Sequence, residues 1–333
     1  MKHDGIKISS QLPANATESD FRILQQLGIK YCYTWIEPHQ VNETFLSNFQ
    51  DNCKKHGLTL YNVGVAAYGK SADVQLGLQK SEEHTEGFID VVRLLGKLGI
   101  SATTITWEPN CAWCTTPNGH VGRELFIPAG RGGALTRVCD EAILENCQLS
   151  HGRRYVREEI WQNFQRFIER VMPVAEASNV KIALHPNDPP VVSSAGIDTF
   201  ITTSNHYETA FRIANSNNFG MELCIGCWLE GGKQFGNLLD DIRRFVRMGK
   251  VFIVHFRNVR GSLPYFEETF LDDGDANMYE IMKTLVQEDY KGTIVFDHAP
   301  IIREAPRVSE SYSLGYMKAL LAAAEHEREW GRG

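Results

Sequence analysis

One alternation recurs along nearly the whole chain and constrains the fold more than any other feature. Short apolar runs, rich in Val, Ile, Leu, Phe and Tyr, fall at 6–9, 29–35, 58–66, 100–107, 181–185, 221–224, 251–255 and 293–297. Stretches with helical periodicity follow them, at 20–28, about 40–57, 81–99, 156–179, 202–216, 237–250, 278–292 and 311–327. Runs this apolar read as strands buried on both faces of a parallel sheet. The helix signals are specific. The stretch 81–99 opens with Ser81, Glu82 and Glu83, carries an apolar stripe and stops at Gly99. That order suits an N-cap, a helix dipole and a C-terminal stop. Eight strand–helix units close most simply into a (β/α)8 TIM barrel, expected to run as one domain over 1–333. Residues 108–155 break the rhythm with Pro109, Pro117, Pro128 and several glycines. A long insertion after the fourth strand is expected there, as a functional loop rather than a linker. A doubly wound sheet would also alternate, but no G-x-G-x-x-G follows the first strand and no P-loop is present.

His185, Cys224, His255 and Asp297 end the last four apolar runs, KIALH, MELC, VFIVH and TIVFD. In a barrel those strand ends share one mouth, where catalytic groups gather. Two imidazoles, a thiolate and a carboxylate form a mixed nitrogen, sulfur and oxygen set. It suits Zn, Fe or Mn better than Mg or Ca. Each residue alone has a plainer reading, as a hydrogen-bonded core histidine, a small buried thiol or a helix-capping aspartate. Their equivalent places in successive units argue for a metal. Two C-x-x-C pairs, Cys111–Cys114 and Cys224–Cys227, lie too far apart for a zinc ribbon. Neither opens a helix in a thioredoxin-like context.

A net charge of -7 leaves no basic footprint for nucleic acid or anionic membrane. No apolar run reaches the roughly 18 residues of a membrane span. The start, MKHDGIKISSQLP, lacks a signal-like apolar stretch, and the eight cysteines are scattered. A cytoplasmic chain with reduced thiols is expected. Homo-oligomerisation stays open.

Several segments, in order, resemble the mannonate dehydratases, xylose-isomerase-like TIM barrels. HPNDPP (185–190) is similar to that family's HPDDPP signature. GMELCIG (220–226), VHFRNVRG (254–261), DDGDANMYEIMKTL (272–285) and FDHAP (296–300) resemble its later strands and helix. RGGALTRVCDEA (131–142) and the Trp113 region resemble its insertion. The resemblance implies a sugar-acid dehydratase that converts D-mannonate to 2-keto-3-deoxy-D-gluconate. It implies Mn²⁺ or Fe²⁺, with Zn²⁺ compatible, on His185, Cys224, His255 and Asp297. It implies His298 and Tyr312 as the acid–base pair, and a small sugar acid as the partner. Arg257 reads as a fork for the substrate carboxylate or as a salt bridge at the barrel rim. Asn258, Asn187, Asp188 and Trp113 read as substrate-binding groups, with a turn role as the plainer reading of Asp188. The chain departs from the family at Asn187, at VVSSAGIDTF (191–200) and at Phe270, where the family has a histidine. These changes touch the substrate pocket more than the metal. An isomerase or epimerase on the same barrel, or a barrel that only binds sugar acids, are the competing expectations.

Overall fold

The structure is a computed structural model that describes residues 5–109 and 114–331. Eight parallel strands close a barrel in sequential order. They are β1 (Lys7–Gln11), β2 (Tyr31–Trp35), β3 (Thr59–Gly64), β4 (Ala102–Thr106), β5 (Lys181–His185), β6 (Phe219–Cys224), β7 (Val251–Phe256) and β8 (Thr293–Phe296). The ring closes where Lys7 pairs with Thr293. The principal outer helices are α1 (Glu18–Gln26), α2 (Glu43–Lys55), α3 (Ser81–Lys97), α4 (Arg157–Ala177), α5 (Ser204–Ala214), α6 (Leu238–Arg247), α7 (Met278–Gln287) and α8 (Pro306–Trp330). A further helix, Ile225–Phe235, leaves β6 directly with Cys224 at its N-cap, so the Cys224–Cys227 pair does open a helix, against the sequence expectation. The expected barrel is the observed one.

Local chemistry explains the elements. Every residue of β6 is buried, as a parallel strand covered on both faces requires. α4 buries Ile160, Phe164, Phe167, Ile168 and Val171, spaced as one helical stripe. Phe164 and Phe167 meet Trp107 with ring centroids 5.2 and 5.5 Å apart. Burying one such ring contributes about 1.5–3 kcal/mol. Asn42 starts α2 by accepting from the Phe45 N–H, and Asn277 starts α7 by accepting from the Tyr279 and Glu280 N–H groups. α8 begins at Pro306, five residues earlier than the periodicity suggests, because proline is well suited to the first turn of a helix.

Two features place the mouth. Ala183 and Ile253 stand two residues before His185 and His255, so they share the face that looks into the barrel. With Tyr61 and Phe252 they form a small apolar floor. Above it, Val138–Asp140 from the insertion joins an antiparallel sheet with Asn258–Ser262 and Tyr265–Thr269. The insertion is thereby stitched to the connection that follows β7. The sequence reading missed this hairpin, although alternating residues flank its Leu263–Pro264 turn. Among the described residues no helix is long and apolar enough to cross a membrane.

Candidate metal centre

Strand register sets the donors side by side. Thr106 pairs with His185, Cys224 with His255, and Phe256 with Phe296, one residue before Asp297. Donor atoms of Cys224, His255 and Asp297 all lie within 4.8 Å of one another. Cys224 Sγ is 3.6 Å from Asp297 Oδ2, and the His185 and His255 ring centroids are 5.0 Å apart. His185 groups equally closely with Asp188, Cys224 and Cys227. The structure therefore brings together all four strand-end residues. His185, His255 and Asp297 line a cavity of about 490 Å³ together with Asp188, Glu222 and His298, and Cys224 is fully buried beside them.

The electrostatics favour a cation. Burial alone would push the Cys224 thiol up, but the Cys227 thiol and the Arg257 guanidinium outweigh it and hold Cys224 well below the usual range. Asp297 is likewise held well below a usual carboxylate, because His298, His255 and Arg257 outweigh burial. Burial would lower His255, yet Glu222 and Asp297 raise it well above an ordinary imidazole. The anionic groups that draw protons onto this imidazole would draw a metal ion as well. His255 Nδ1 is buried and makes no hydrogen bond, although Asp297 Oδ1 lies 3.5 Å away. An orphaned nitrogen between a thiolate and a carboxylate fits a divalent ion.

Arg257 corrects an expectation. It neither reaches the substrate cavity nor sits at the rim; it is fully buried. Its Nη2 donates to Asp188 Oδ2 at 2.8 Å and Glu230 Oε1 at 2.6 Å, with Cys224 and Cys227 Sγ at 3.6 and 3.7 Å. Its Nη1 lies 3.1 Å from Glu268 Oε1 and 3.2 Å from Asp297 Oδ2. Strand alternation predicts direction but not depth, and Asp188, Glu230 and Glu268, from the connections after β5, β6 and β7, pull this side chain beneath the mouth.

Asn187 and Asn258 also depart from their expected role. Asn187 donates to Trp107 O and accepts from the Phe200 and Ile201 N–H groups. Asn258 donates to Leu271 O and Ala276 O and accepts from Val259 and Ala276 N–H. Both amides are buried and spent on loop backbone. Asp188 does line the cavity, with one oxygen on Arg257. Trp113 lies outside the described residues.

His298 follows Asp297 on the cavity wall, at φ 27°. A non-glycine residue there is held by its surroundings. Its Nδ1 is 2.7 Å from Glu268 Oε1, and Arg257 Nη1 is 2.6 Å from the same nitrogen. One carboxylate oxygen accepting from both the imidazole and the guanidinium satisfies all three groups. Burial would raise Glu268, but His298 and Arg257 pull it below its usual value. Tyr312 is not among the cavity residues. It is 39% exposed on α8, packs edge-on to Phe270 at 5.9 Å, and pairs with Asp272 and Arg131.

Sequence reasoning missed Glu108, Glu222, Glu230 and Glu268. Glu108 lines the cavity just beyond β4 and accepts from the Asp188 N–H at 3.1 Å. Burial, helped by the Asp188 charge, pushes its carboxyl up to about 7. The other wall holds Gln11, Tyr33, Trp35 and Asn62, with Lys70 over the Trp35 ring at 4.6 Å.

A closed eight-stranded barrel with clustered donor side chains at its C-terminal mouth defines a TIM barrel of the enzyme type. The sequence model of the D-mannonate dehydratase (UxuA) family matches residues 140–326. The chain belongs to that family. It is 27% identical over 258 residues to the mannonate dehydratase of Thermotoga neapolitana, covering 69% of this chain and 70% of that one. Its fold is similar to the crystal structure of mannonate dehydratase from Streptococcus suis serotype 2. That match has a TM-score of 0.81 and 20% identity, over 98% of this chain and 95% of that one. A xylose isomerase domain protein from Planctomyces limnophilus matches with a TM-score of 0.63 and 15% identity, over 97% and 98% of the two chains.

Proposed function

We propose that this chain removes water from a hexonate, with D-mannonate the first substrate to test, at a divalent-metal centre. The observation that carries the reading is the clustering of His185, Cys224, His255 and Asp297, three of them on the cavity wall with His298 and the thiol buried beside them. The donor set suits Mn²⁺ or Fe²⁺, and Zn²⁺ is compatible. Bound there, the ion would act as a Lewis acid on a substrate oxygen. The proton transfers belong to the chain. Dehydration across C2 and C3 removes the weakly acidic C2 proton and protonates the departing 3-hydroxyl. His298, with Nδ1 2.7 Å from Glu268 Oε1 and Nε2 3.4 Å from Asp297 Oδ1, is held on the cavity wall and supplies the base. Glu108 holds its proton to about pH 7 and lines the same cavity, so it supplies the acid. It takes the place that the family resemblance gives to Tyr312. Tyr33, Trp35, Asn62 and Gln11 form a wall for the sugar hydroxyls.

The test is an assay of the purified protein with Mn²⁺ against a panel of hexonates. A 2-keto-3-deoxy acid is expected from mannonate. If no hexonate yields one, the reading fails. A product with its carbonyl moved and no water lost would identify an isomerase. Metal analysis of Cys224→Ala accompanies it, and an undiminished metal content would remove Cys224 from the ligand set.

A further inference from the structure

Glu222 lies two residues before Cys224 on β6, so both side chains project to one face. It is only 4% exposed and lines the cavity. Among the described residues no lysine or arginine pairs with it. Its Oε1 lies instead 2.8 Å from His255 Nε2. An imidazole that binds a metal is neutral and carries one proton, and a carboxylate at Nε2 keeps that proton there. The lone pair is then on Nδ1, the buried nitrogen that makes no hydrogen bond and faces Asp297. The two halves of one ring thus report the same arrangement from opposite sides.

We propose that Glu222 is a positioning residue that fixes His255 in the tautomer whose Nδ1 binds the metal. This rests on the metal-centre reading above. Carboxylates that hold the far nitrogen of a ligating histidine set its ring orientation and raise its basicity. Here the pair is built into adjacent barrel strands, β6 and β7, so the orientation does not depend on a loop. The assignment also explains why a strand otherwise made of Phe, Gly, Met, Leu and Cys carries a buried acid.

The test compares wild type with Glu222→Leu and Glu222→Gln. Calorimetry with Mn²⁺ reads affinity, Co²⁺ absorption reads the ligand set, and metal-free melting reads the fold. Glu222→Leu is expected to weaken Mn²⁺ binding about 10–100-fold without lowering the metal-free melting temperature. Glu222→Gln, whose amide oxygen still accepts the Nε2 proton, is expected to recover most of that loss. The thiolate-to-cobalt band and the ligand-field bands stay unchanged at saturation. Equal Mn²⁺ affinity in wild type and Glu222→Leu overturns the inference, as does a Gln variant no better than Leu. Ligand-field bands that show a lost oxygen donor would make Glu222 a ligand and overturn it too. If Glu222→Leu does not fold, Glu222→Asp must show the loss, because it withdraws the carboxylate by one methylene. Wild type that binds no Mn²⁺ or Co²⁺ removes the metal-centre reading itself.

Discussion

The two halves of the barrel mouth are built from different chemistry. The ends of β5–β8 present His185, Glu222, Cys224, His255, Asp297 and His298. The ends of β1–β4 present Gln11, Tyr33, Trp35 and Asn62, none of them charged. The family match at 140–326 spans the first group of strands and includes none of the second. A metal demands particular donor atoms at fixed separations, so few residues can serve. A wall for sugar hydroxyls demands only shape and some hydrogen bonds, and many residues can serve. On the proposed reading the donor half holds the metal and the base, and the other half, apart from Glu108, carries the choice of substrate.

That division can be broken by experiment. His298→Asn should lower kcat about 10²–10⁴-fold while metal content holds, because only the proton transfer is lost. A fall of less than about tenfold would move the base elsewhere. Glu108 brings a carboxyl of raised pKa to the β1–β4 side. Burial and the Asp188 charge push its carboxyl up to about 7 from an ordinary 4.5, so the folded protein holds that proton more tightly than the unfolded chain. Stability should then decline as pH rises from about 4.5 to about 7, by a few kcal/mol at most. Glu108→Gln should flatten that decline in a melting series and remove the alkaline limb of the wild-type kcat/KM profile. An unchanged profile would return the acid role to another group. Trp35→Leu should have the smallest effect. It takes away the ring under Lys70 and should raise KM about tenfold with kcat nearly constant, as loss of uniform binding does. A large loss of kcat there would erase the distinction between the halves.

The barrel was legible because each strand is apolar over its length and each helix keeps its stripe. The four candidate ligands were legible because they end those strands. Glu222 was hidden inside MELC, where a run of apolar neighbours masks one interior acid. Glu108, Glu230 and Glu268 lie beyond strand ends, and only the fold shows which acids converge. Arg257 has the right strand phase, but Asp188, Glu230 and Glu268 come from three separate connections to bury it. Tyr312 is placed in sequence as the family resemblance implies, yet the first turns of α8 face Phe270 and Asp272 rather than the cavity. Asn187 and Asn258 look like binding groups in sequence because polarity alone does not distinguish a ligand amide from one that holds a loop.

Gly226 has a consequence for the lineage of this site. A Cβ built there would stand 2.0 Å from Arg257 Nε, so the guanidinium lies directly against bare backbone. Neither position can drift alone. A side chain at 226 would evict the arginine, and losing the arginine would leave Asp188, Glu230 and Glu268 without their shared cation. Descendants of this chain can keep both residues or must replace them together, and that linkage is a fingerprint by which its relatives can be sorted.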